Sequence, residues 1–465
     1  MNSSSKGSPQ KLSLYSCRRG CGYTMSFWEI PQYRSIFQII NERRSFQMKL
    51  FVGLDVSSEK LDVCFLSDDD QLTVLLEDSL GNDIEGANQI KQKILAFQKV
   101  YSFSQIVIGM ESTSMYSFHP ATFFNEDREL QRINTVVTIE NPFRIKQFSR
   151  IFDEDKTDKN DAMRIADFLR IQRYTTSPIK EEKYMALQRL TRTRYQLIGQ
   201  LVETKQHFLE NLTYKCNALT RELKNNDTNS SVFGATLLAL MTEDYGLDEL
   251  ALMPLTDFTS LLQEKGNGRF KNPEGLAKTI QRAITMSYRL SELAQESINI
   301  ILSVLAREIR ALEASIKDLD KAIEQLVIVL PEYQCLTSIP GIGKVYAAGL
   351  LAEIGQIQRF EDQTKLAKYA GLSWKIKQSG NYQSENTPLT KQGNRYLRYY
   401  LVEAANSVRR YLPEYQAFYQ KKYKETPKHQ HKRAIVLTAR KFVRLVDTLL
   451  RNHQLYTPPR SVVEK

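Results

Sequence analysis

Four carboxylates are the residues of this chain most able to do chemistry. Asp55 and Glu111 each end a short apolar run, Leu50-Phe51-Val52-Gly53-Leu54-Asp55 and Ile106-Val107-Ile108-Gly109-Met110-Glu111. Lys156-Thr157-Asp158-Lys159-Asn160-Asp161-Ala162 supplies two more, and a separation of three puts Asp158 and Asp161 on one helix face. Acids that converge in this way suit a pair of Mg²⁺ ions about 4 Å apart, one side activating a nucleophile and the other a leaving oxygen in phosphoryl transfer. Each acid taken singly reads as a solvated surface group. Four at the positions that one topology requires are much harder to dismiss. Asp153 and Asp155 fall off the shared face and read as surface charge.

The elements that must position these acids follow from the apolar pattern. Runs at 50–55, 61–66 and 72–76, closely spaced, predict an antiparallel meander. A helical stretch at 84–99 leads to the buried strand 106–111, and a further helix to a strand at 136–139. Asn141-Pro142 breaks that strand, and a helical region continues to about residue 173. Three meandering strands followed by alternating helix and strand is the order of a ribonuclease-H-like core, in which acids end the first and fourth strands and ride on a late helix.

The middle of the chain is helical. From Ile298 the apolar residues Leu302, Leu305, Ile309, Leu312, Ile316, Leu319, Ile323, Leu326 and Leu330 follow steps of 4 and 3, the spacing of a coiled coil. Leu187, Leu190, Leu197, Leu201 and Phe208 keep a rougher version of it. The two segments can pair antiparallel within one chain, or one can dimerise; the period is the same for both. An apolar seam this long predicts a homo-oligomer, dimer or tetramer.

After Pro331 short helices alternate with glycine breaks. Ser338-Ile339-Pro340-Gly341-Ile342-Gly343-Lys344 precedes an apolar helix at 345–354, and Gly341 and Gly343 allow a tight turn whose N–H groups can meet a phosphate. Such a helix-hairpin-helix contact is neutral to base sequence; a plain interhelical turn has equal claim. Between 400 and 451, Tyr411, Tyr415, Phe418, Tyr419 and Tyr423 interleave with Lys421, Lys422, Lys424, Lys428, Lys432 and Arg433, a mixture suited to stacked bases and phosphates or to an amphipathic helix with inward tyrosines.

Charge points the same way. The 465 residues carry 64 Lys and Arg against 53 Asp and Glu, a net +11, but residues 331–465 alone hold 23 basic and 10 acidic residues. A surplus confined to one region is the footprint of a polyanion, most often nucleic acid. Apolar residues at 42% and charged residues at 25% exclude wholesale disorder. No apolar run reaches the ~18 residues of a membrane span, and no secretory leader is seen, so the expected location is the cytoplasm. Five cysteines at 17, 21, 64, 216 and 335 make neither a disulfide framework nor a convincing zinc site. Residues 1–47 read as a disordered extension, or as sequence upstream of a start at Met48.

At these motifs the sequence resembles the DEDD-type transposases of bacterial insertion sequences (the one-ten family), related to Piv-type DNA invertases. The matching residues are Gly53-Leu54-Asp55, Gly109-Met110-Glu111, Asn141-Pro142, Lys156-Thr157-Asp158 and Asp161-Ala162. Further on they are Pro340-Gly341-Ile342-Gly343, Ala352-Glu353-Ile354-Gly355, Arg359-Phe360, Tyr369-Ala370-Gly371-Leu372, Ser379-Gly380, Lys391-Gln392-Gly393-Asn394 and Leu397-Arg398. The resemblance spans roughly residues 48 to 450. Ser373-Trp374 departs from it, standing where the family often has a proline.

The resemblance implies a RuvC-like domain at 48–178 holding two Mg²⁺ through Asp55, Glu111, Asp158 and Asp161. It also implies a coiled-coil region at 179–330, a mostly helical transposase domain at 331–455 and a tail at 456–465. Ser379 becomes a nucleophile that joins covalently to a DNA phosphate, a role its own surroundings would not have suggested. Gly341, Gly343, Lys344, Lys375, Lys377, Lys391, Arg395 and Arg398 become candidate nucleic-acid contacts. The partners implied are donor and target DNA and a structured guide RNA. An invertase or a junction-cutting nuclease would use the same acids, and a non-catalytic nucleic-acid-binding coiled-coil protein would use none of them.

Overall fold

A computed structural model describes residues 48–458 except 70, 113–114, 151–157, 172–173, 175–178, 226–229, 375–377, 380–381 and 384–388. The extension 1–47, with Cys17 and Cys21, lies outside the described residues. The chain divides into two compact units between Ile179 and Lys180. None of the described helices is long and apolar enough to cross a membrane.

The first unit is a five-stranded mixed sheet flanked by helices. Its strands are β1 (Lys49–Val56), β2 (Lys60–Ser67), β3 (Val74–Gly81), β4 (Gln105–Glu111) and β5 (Thr135–Glu140), in spatial order β3-β2-β1-β4-β5. β1 pairs antiparallel with β2 and parallel with β4; β2–β3 is antiparallel and β4–β5 parallel. The expected meander is present, but β3 starts two residues late and runs on to Gly81. Asp69 is the cause: its Oδ1 accepts from the N–H groups of Gln71 and Thr73, closing a turn in which Leu72 takes φ of 54°.

Helix α1 (Ile84–Tyr101) is capped by Asp83, whose side chain accepts from the Gly86 N–H. It covers one face of the sheet, where Ile90 and Ile94 join Leu50, Val52, Leu54, Leu61, Val63 and Phe65 in one core. The short helices α2 (Phe118–Glu126) and α3 (Arg128–Arg132) precede β5. α4 (Pro142–Ser149) and α5 (Asp158–Arg170) complete the other side, where Ala162, Ile165, Ala166, Phe168 and Leu169 of α5 pack on Phe51, Cys64, Leu66 and Val107. Burying each large apolar side chain there contributes about 1.5–3 kcal/mol.

α5 lies close on β1 because residue 53 has no side chain. A Cβ at Gly53 would fall 2.2 Å from the Ala162 carbonyl oxygen and 2.4 Å from the Ala166 nitrogen. Both atoms are backbone and cannot swing aside. Gly53→Ala is therefore expected to push α5 off the sheet and cost about 2–3 kcal/mol. Urea unfolding measures this, and an unchanged midpoint would contradict the close approach.

The second unit is helical. α6 (Glu182–Lys215) leads into five short helices, α7 (Leu219–Asn225), α8 (Ala235–Ala239), α9 (Leu247–Leu252), α10 (Leu255–Lys265) and α11 (Pro273–Thr285), before α12 (Glu292–Val327) returns. α6 and α12 are the two heptad segments, and they pair antiparallel within the chain. Leu187 shares a core with Ile323 and Val327, while Leu201, Phe208 and Leu212 share another with Leu302, Ala306 and Ile309. The ion pairs Arg194–Asp320 and Lys205–Glu313 run in the same sense. The seam is thus covered from within the chain, so the oligomer expected from it loses that support.

The remainder packs around the α6 end of this hairpin. α13 (Pro331–Thr337), α14 (Lys344–Ile354), α15 (Gln363–Tyr369), the two-residue strands β6 (Gln378–Ser379) and β7 (Tyr382–Gln383), α16 (Arg395–Tyr411), α17 (Pro413–Lys424) and α18 (Gln430–Asn452) follow in order. Leu350, Leu351, Leu401, Phe442 and Val446 lie at the centre of their core.

Candidate functional site

Asp55 and Glu111 are brought together by the sheet. Leu54 pairs with Met110 across the parallel β1–β4 ladder, so the acids that follow stand side by side. Alternation puts both on the α5 side, with Phe51 and Val107, and both are half-buried. Two further acids share that level: Asp62 on β2 opposite Asp55, and Glu140 on β5 opposite Glu111. Four adjacent strands thus present a row of carboxylates. Glu140 is neutralised within the chain, its Oε1 accepting from Thr138 Oγ1 at 3.0 Å and its Oε2 from Arg144 Nη1 at 2.7 Å.

α5 begins at the same end of the sheet. At its other end, Arg170 acts on the Asp68 carboxyl, whose own N–H donates to the Lys49 carbonyl at the start of β1. Burial raises the Asp68 pKa, and Arg170 and Lys49 pull it partly back. α5 therefore runs against β1, from the acid-bearing edge at Asp158 towards the opposite edge. Asp161 accepts from Arg164 Nη1 at 3.1 Å. The Asp158 side chain is not among those described. Among the described residues no three acids, histidines or cysteines converge closely enough to hold a metal ion.

Ser379 lies in β6, opposite Tyr382 of β7, in a hairpin between α15 and α16. Its base is held by pairing of Trp374 with Leu389 and by the Thr390 N–H donating to the Ser373 carbonyl at 2.8 Å. The Ser373 and Thr390 hydroxyls are 3.1 Å apart. Lys375, Lys377 and Gly380 lie outside the described residues.

The other candidate contacts divide. Gly341 takes φ of +94°, and a Cβ there would fall 2.7 Å from the Tyr411 ring, so this glycine lets the turn close on α16. Gly343 caps α14 with open space around it. Lys344 is exposed but pairs with Glu324 of α12. Arg395 bonds the Tyr396 hydroxyl at 2.8 Å and lies over its ring. Arg398 donates to the carbonyls of Ala370 at 3.0 Å and Lys391 at 3.1 Å, fastening the chain on either side of the serine hairpin. The aromatic–cation stretch resolves largely as packing. Tyr415 and Tyr419 are buried, Arg409 sits 4.3 Å over Tyr419, and Lys441 sits 4.7 Å over Tyr415. Those two rings are closed to bases.

One buried network was invisible in the sequence. Glu353 of α14 is fully buried and accepts from Arg192 Nε and Nη2 at 2.7 and 2.8 Å, from Gln188 at 2.8 Å and from Asn394 Nδ2 at 2.6 Å. Asn394 also caps α16 through the N–H groups of Tyr396 and Leu397, and its own N–H donates to the Tyr369 carbonyl. Beside it, Lys180 Nζ donates to the Ala352 carbonyl at 2.7 Å. Burial, with Arg359 and Arg192 adding repulsion, brings the Lys180 ammonium down to about 7. Two of the sequence motifs, Ala352–Gly355 and Lys391–Asn394, therefore meet as structure. Asp62 and Glu140 also escaped notice, although the alternation Leu61, Val63, Phe65 marks Asp62 as facing the other way.

With this geometry, residues 52–216 match the transposase family described as DEDD and IS110-type, and residues 333–420 match the Transposase IS116/IS110/IS902 family. An insertion element IS116 protein of 44.8 kDa from Streptomyces clavuligerus, itself uncharacterized, is 27% identical over 67% of this chain and 75% of its own length. A 42 kDa insertion element IS900 protein from Mycobacterium paratuberculosis is 25% identical over 66% of this chain and 74% of its own. The pilin gene-inverting protein of Moraxella bovis is 32% identical over 34% of this chain and 51% of its own. Fold and matches together define a transposase of the DNA recombinase class. The chain belongs to the IS116/IS110/IS902 family.

Proposed function

We propose that this transposase is a two-part, Mg²⁺-dependent and RNA-guided DNA recombinase. The carrying observation is the position of Asp55 and Glu111, each one residue past the Leu54–Met110 pair on adjacent parallel strands, at the end of the sheet where the helix bearing Asp158 and Asp161 begins. The strand order β3-β2-β1-β4-β5, with only the first three strands antiparallel, is that of a ribonuclease-H or RuvC-like core and supports the same reading. Carboxylate oxygens are the donors that a hard divalent cation takes, so the residue types suit the ion. Asp55, Glu111, Asp158 and Asp161 would hold it. When bound, such ions offset the charge on the attacked phosphate and on the leaving oxygen.

Ser379 supplies the nucleophile. Its Oγ loses a proton and bonds to phosphorus; the displaced sugar oxygen takes a proton and leaves as a hydroxyl. One phosphodiester replaces another, so the bond energy is retained for rejoining. The basic surplus in residues 331–465 holds donor DNA, target DNA and a guide RNA by their phosphates. Likeness to a pilin gene-inverting protein favours inversion as the second reading, because both reactions would share acids and serine.

The test is the purified full chain with its copurified RNA, assayed on supercoiled DNA carrying candidate sites. Recombinant product that needs both Mg²⁺ and the RNA is expected. Product that survives ribonuclease treatment would remove the guide, and product in excess chelator would remove the metal.

A further inference from the structure

Two tyrosines of the second unit stand open to solvent where α6 meets α16. Tyr195 of α6 and Tyr399 of α16 are 38% and 37% exposed, and their ring centroids lie 4.8 Å apart with the planes at 70°. The pair is held from below. Tyr195 meets the Tyr396 ring at 5.4 Å, near perpendicular, and the Tyr400 hydroxyl donates to the Thr191 carbonyl at 3.4 Å. Tyr396 itself is closed, with Arg192 and Arg395 over its ring at 4.5 and 4.7 Å. Among the described residues no cation covers Tyr195 or Tyr399 in that way. One turn along α6 from Tyr195, a Cβ at Gly199 would meet nothing within 4 Å, so the surface beside the ring is clear. Arg395 is exposed, lies within electrostatic reach of the Tyr195 hydroxyl and forms no ion pair with a described carboxylate. α16 as a whole carries Arg395, Arg398, Arg409 and Arg410 against a single acid, Glu403. Two fixed rings forming an open corner, with a free guanidinium beside them, offer what an unpaired nucleotide needs: a flat apolar surface for the base and a cation for its phosphate.

We propose that Tyr195 and Tyr399 form a stacking platform for an unpaired base of a DNA strand, with Arg395 holding the adjoining phosphate. The place of the platform selects DNA as the occupant. α16 starts directly after the hairpin that carries Ser379, and Arg398 ties the two flanks of that hairpin through the Ala370 and Lys391 carbonyls. Strand exchange has to unpair bases close to the phosphate under attack, and the platform keeps one of them out of the duplex. The choice of DNA therefore rests on the reading of Ser379 above. A duplex offers its base faces to no side chain, so the platform discriminates in favour of single strands.

The experiment measures binding of the full chain to fluorescein-labelled oligothymidylate, to oligouridylate of the same length and to duplex DNA, by anisotropy over a range of salt. Tyr195→Leu and Tyr399→Leu, which keep apolar bulk without a ring, should each weaken single-stranded DNA binding about five- to a hundred-fold. Their affinity should fall equally at every salt concentration, because stacking releases no counterions. Tyr195→Phe and Tyr399→Phe keep the ring and should restore most of the affinity. Arg395→Gln should instead reduce the slope of log affinity against log salt by about 0.7. Photocrosslinking of wild-type protein to an oligonucleotide carrying iododeoxyuridine needs no variant, and mass mapping should place the adduct on Tyr195 or Tyr399. Wild-type affinity in the leucine variants, an adduct elsewhere, or an equal loss on duplex would overturn the platform. A loss confined to oligouridylate would give the site to RNA and overturn the proposal as well. Were wild-type protein to bind neither single strands nor duplex, the reading of the chain as acting on DNA would fail, and the platform with it.

Discussion

Ser379→Ala is expected to abolish the covalent protein–DNA species and with it all recombinant product, a loss of about 10⁴-fold or more. A nuclease that used only water would release free ends and need no side-chain nucleophile. A serine that takes the phosphate keeps the ends attached and the exchange nearly isoenergetic. The substitution leaves folding alone: Ser379 contributes to β6 through its backbone pairing with Tyr382, which alanine keeps. DNA and RNA binding should therefore persist in the variant, by filter binding or mobility shift. Denaturing electrophoresis of the reaction and mass mapping of the adduct provide the readout. Ser373 and Ser384 are the neighbouring hydroxyls, and their alanine variants should still form adduct. Adduct in Ser379→Ala, or adduct mapped to another residue, would leave a metal-only nuclease as the better account.

The second large effect is expected at Asp158. Asp158→Asn should reduce strand cleavage roughly a hundred- to a thousand-fold while binding of nucleic acid is retained. Asp158 opens α5, and asparagine serves the first turn of a helix almost as well, so the structural cost is confined to the lost charge near the helix dipole, about 0.5 kcal/mol. The basic surplus that would hold DNA lies beyond residue 330 and is untouched. Single-turnover cleavage with Mn²⁺ substituted for Mg²⁺ is the measurement. Cleavage at the wild-type rate would take Asp158 out of the site.

Much of the first unit could be read in advance, because its strands are short apolar runs whose ends are marked by acids and turns. The late start of β3 could not, since Leu72-Thr73 looks like strand until the Asp69 side chain closes the turn. Asp55 and Glu111 stood out by ending their strands. Asp62 did not, because its place opposite Asp55 is set across the ladder rather than by its own neighbours. The heptads of α6 and α12 were legible as a seam, yet a 3.5-residue period is blind to whether the opposite helix belongs to the same chain. The tyrosines of α17 raised a similar ambiguity: a ring that stacks on a base and one that packs under an arginine have the same spacing, and Arg409 over Tyr419 decides it. Glu353 and Arg192 lie 161 positions apart, beyond any local pattern.

That buried ion pair has a mechanical consequence. α6 has 34 residues, which makes a rod about 50 Å long. Its root is clamped through Arg192 and Gln188 to Glu353, and the same carboxylate grips Asn394, the residue that starts α16 just after the serine hairpin. Glu353 is thus the fulcrum of a lever. A tilt of about 5° there carries the far end of the ~35 Å arm beyond Arg192 through about 3 Å. Anything that grips the helical bundle at the tip pulls, through one carboxylate, on the frame from which Ser379 is hung.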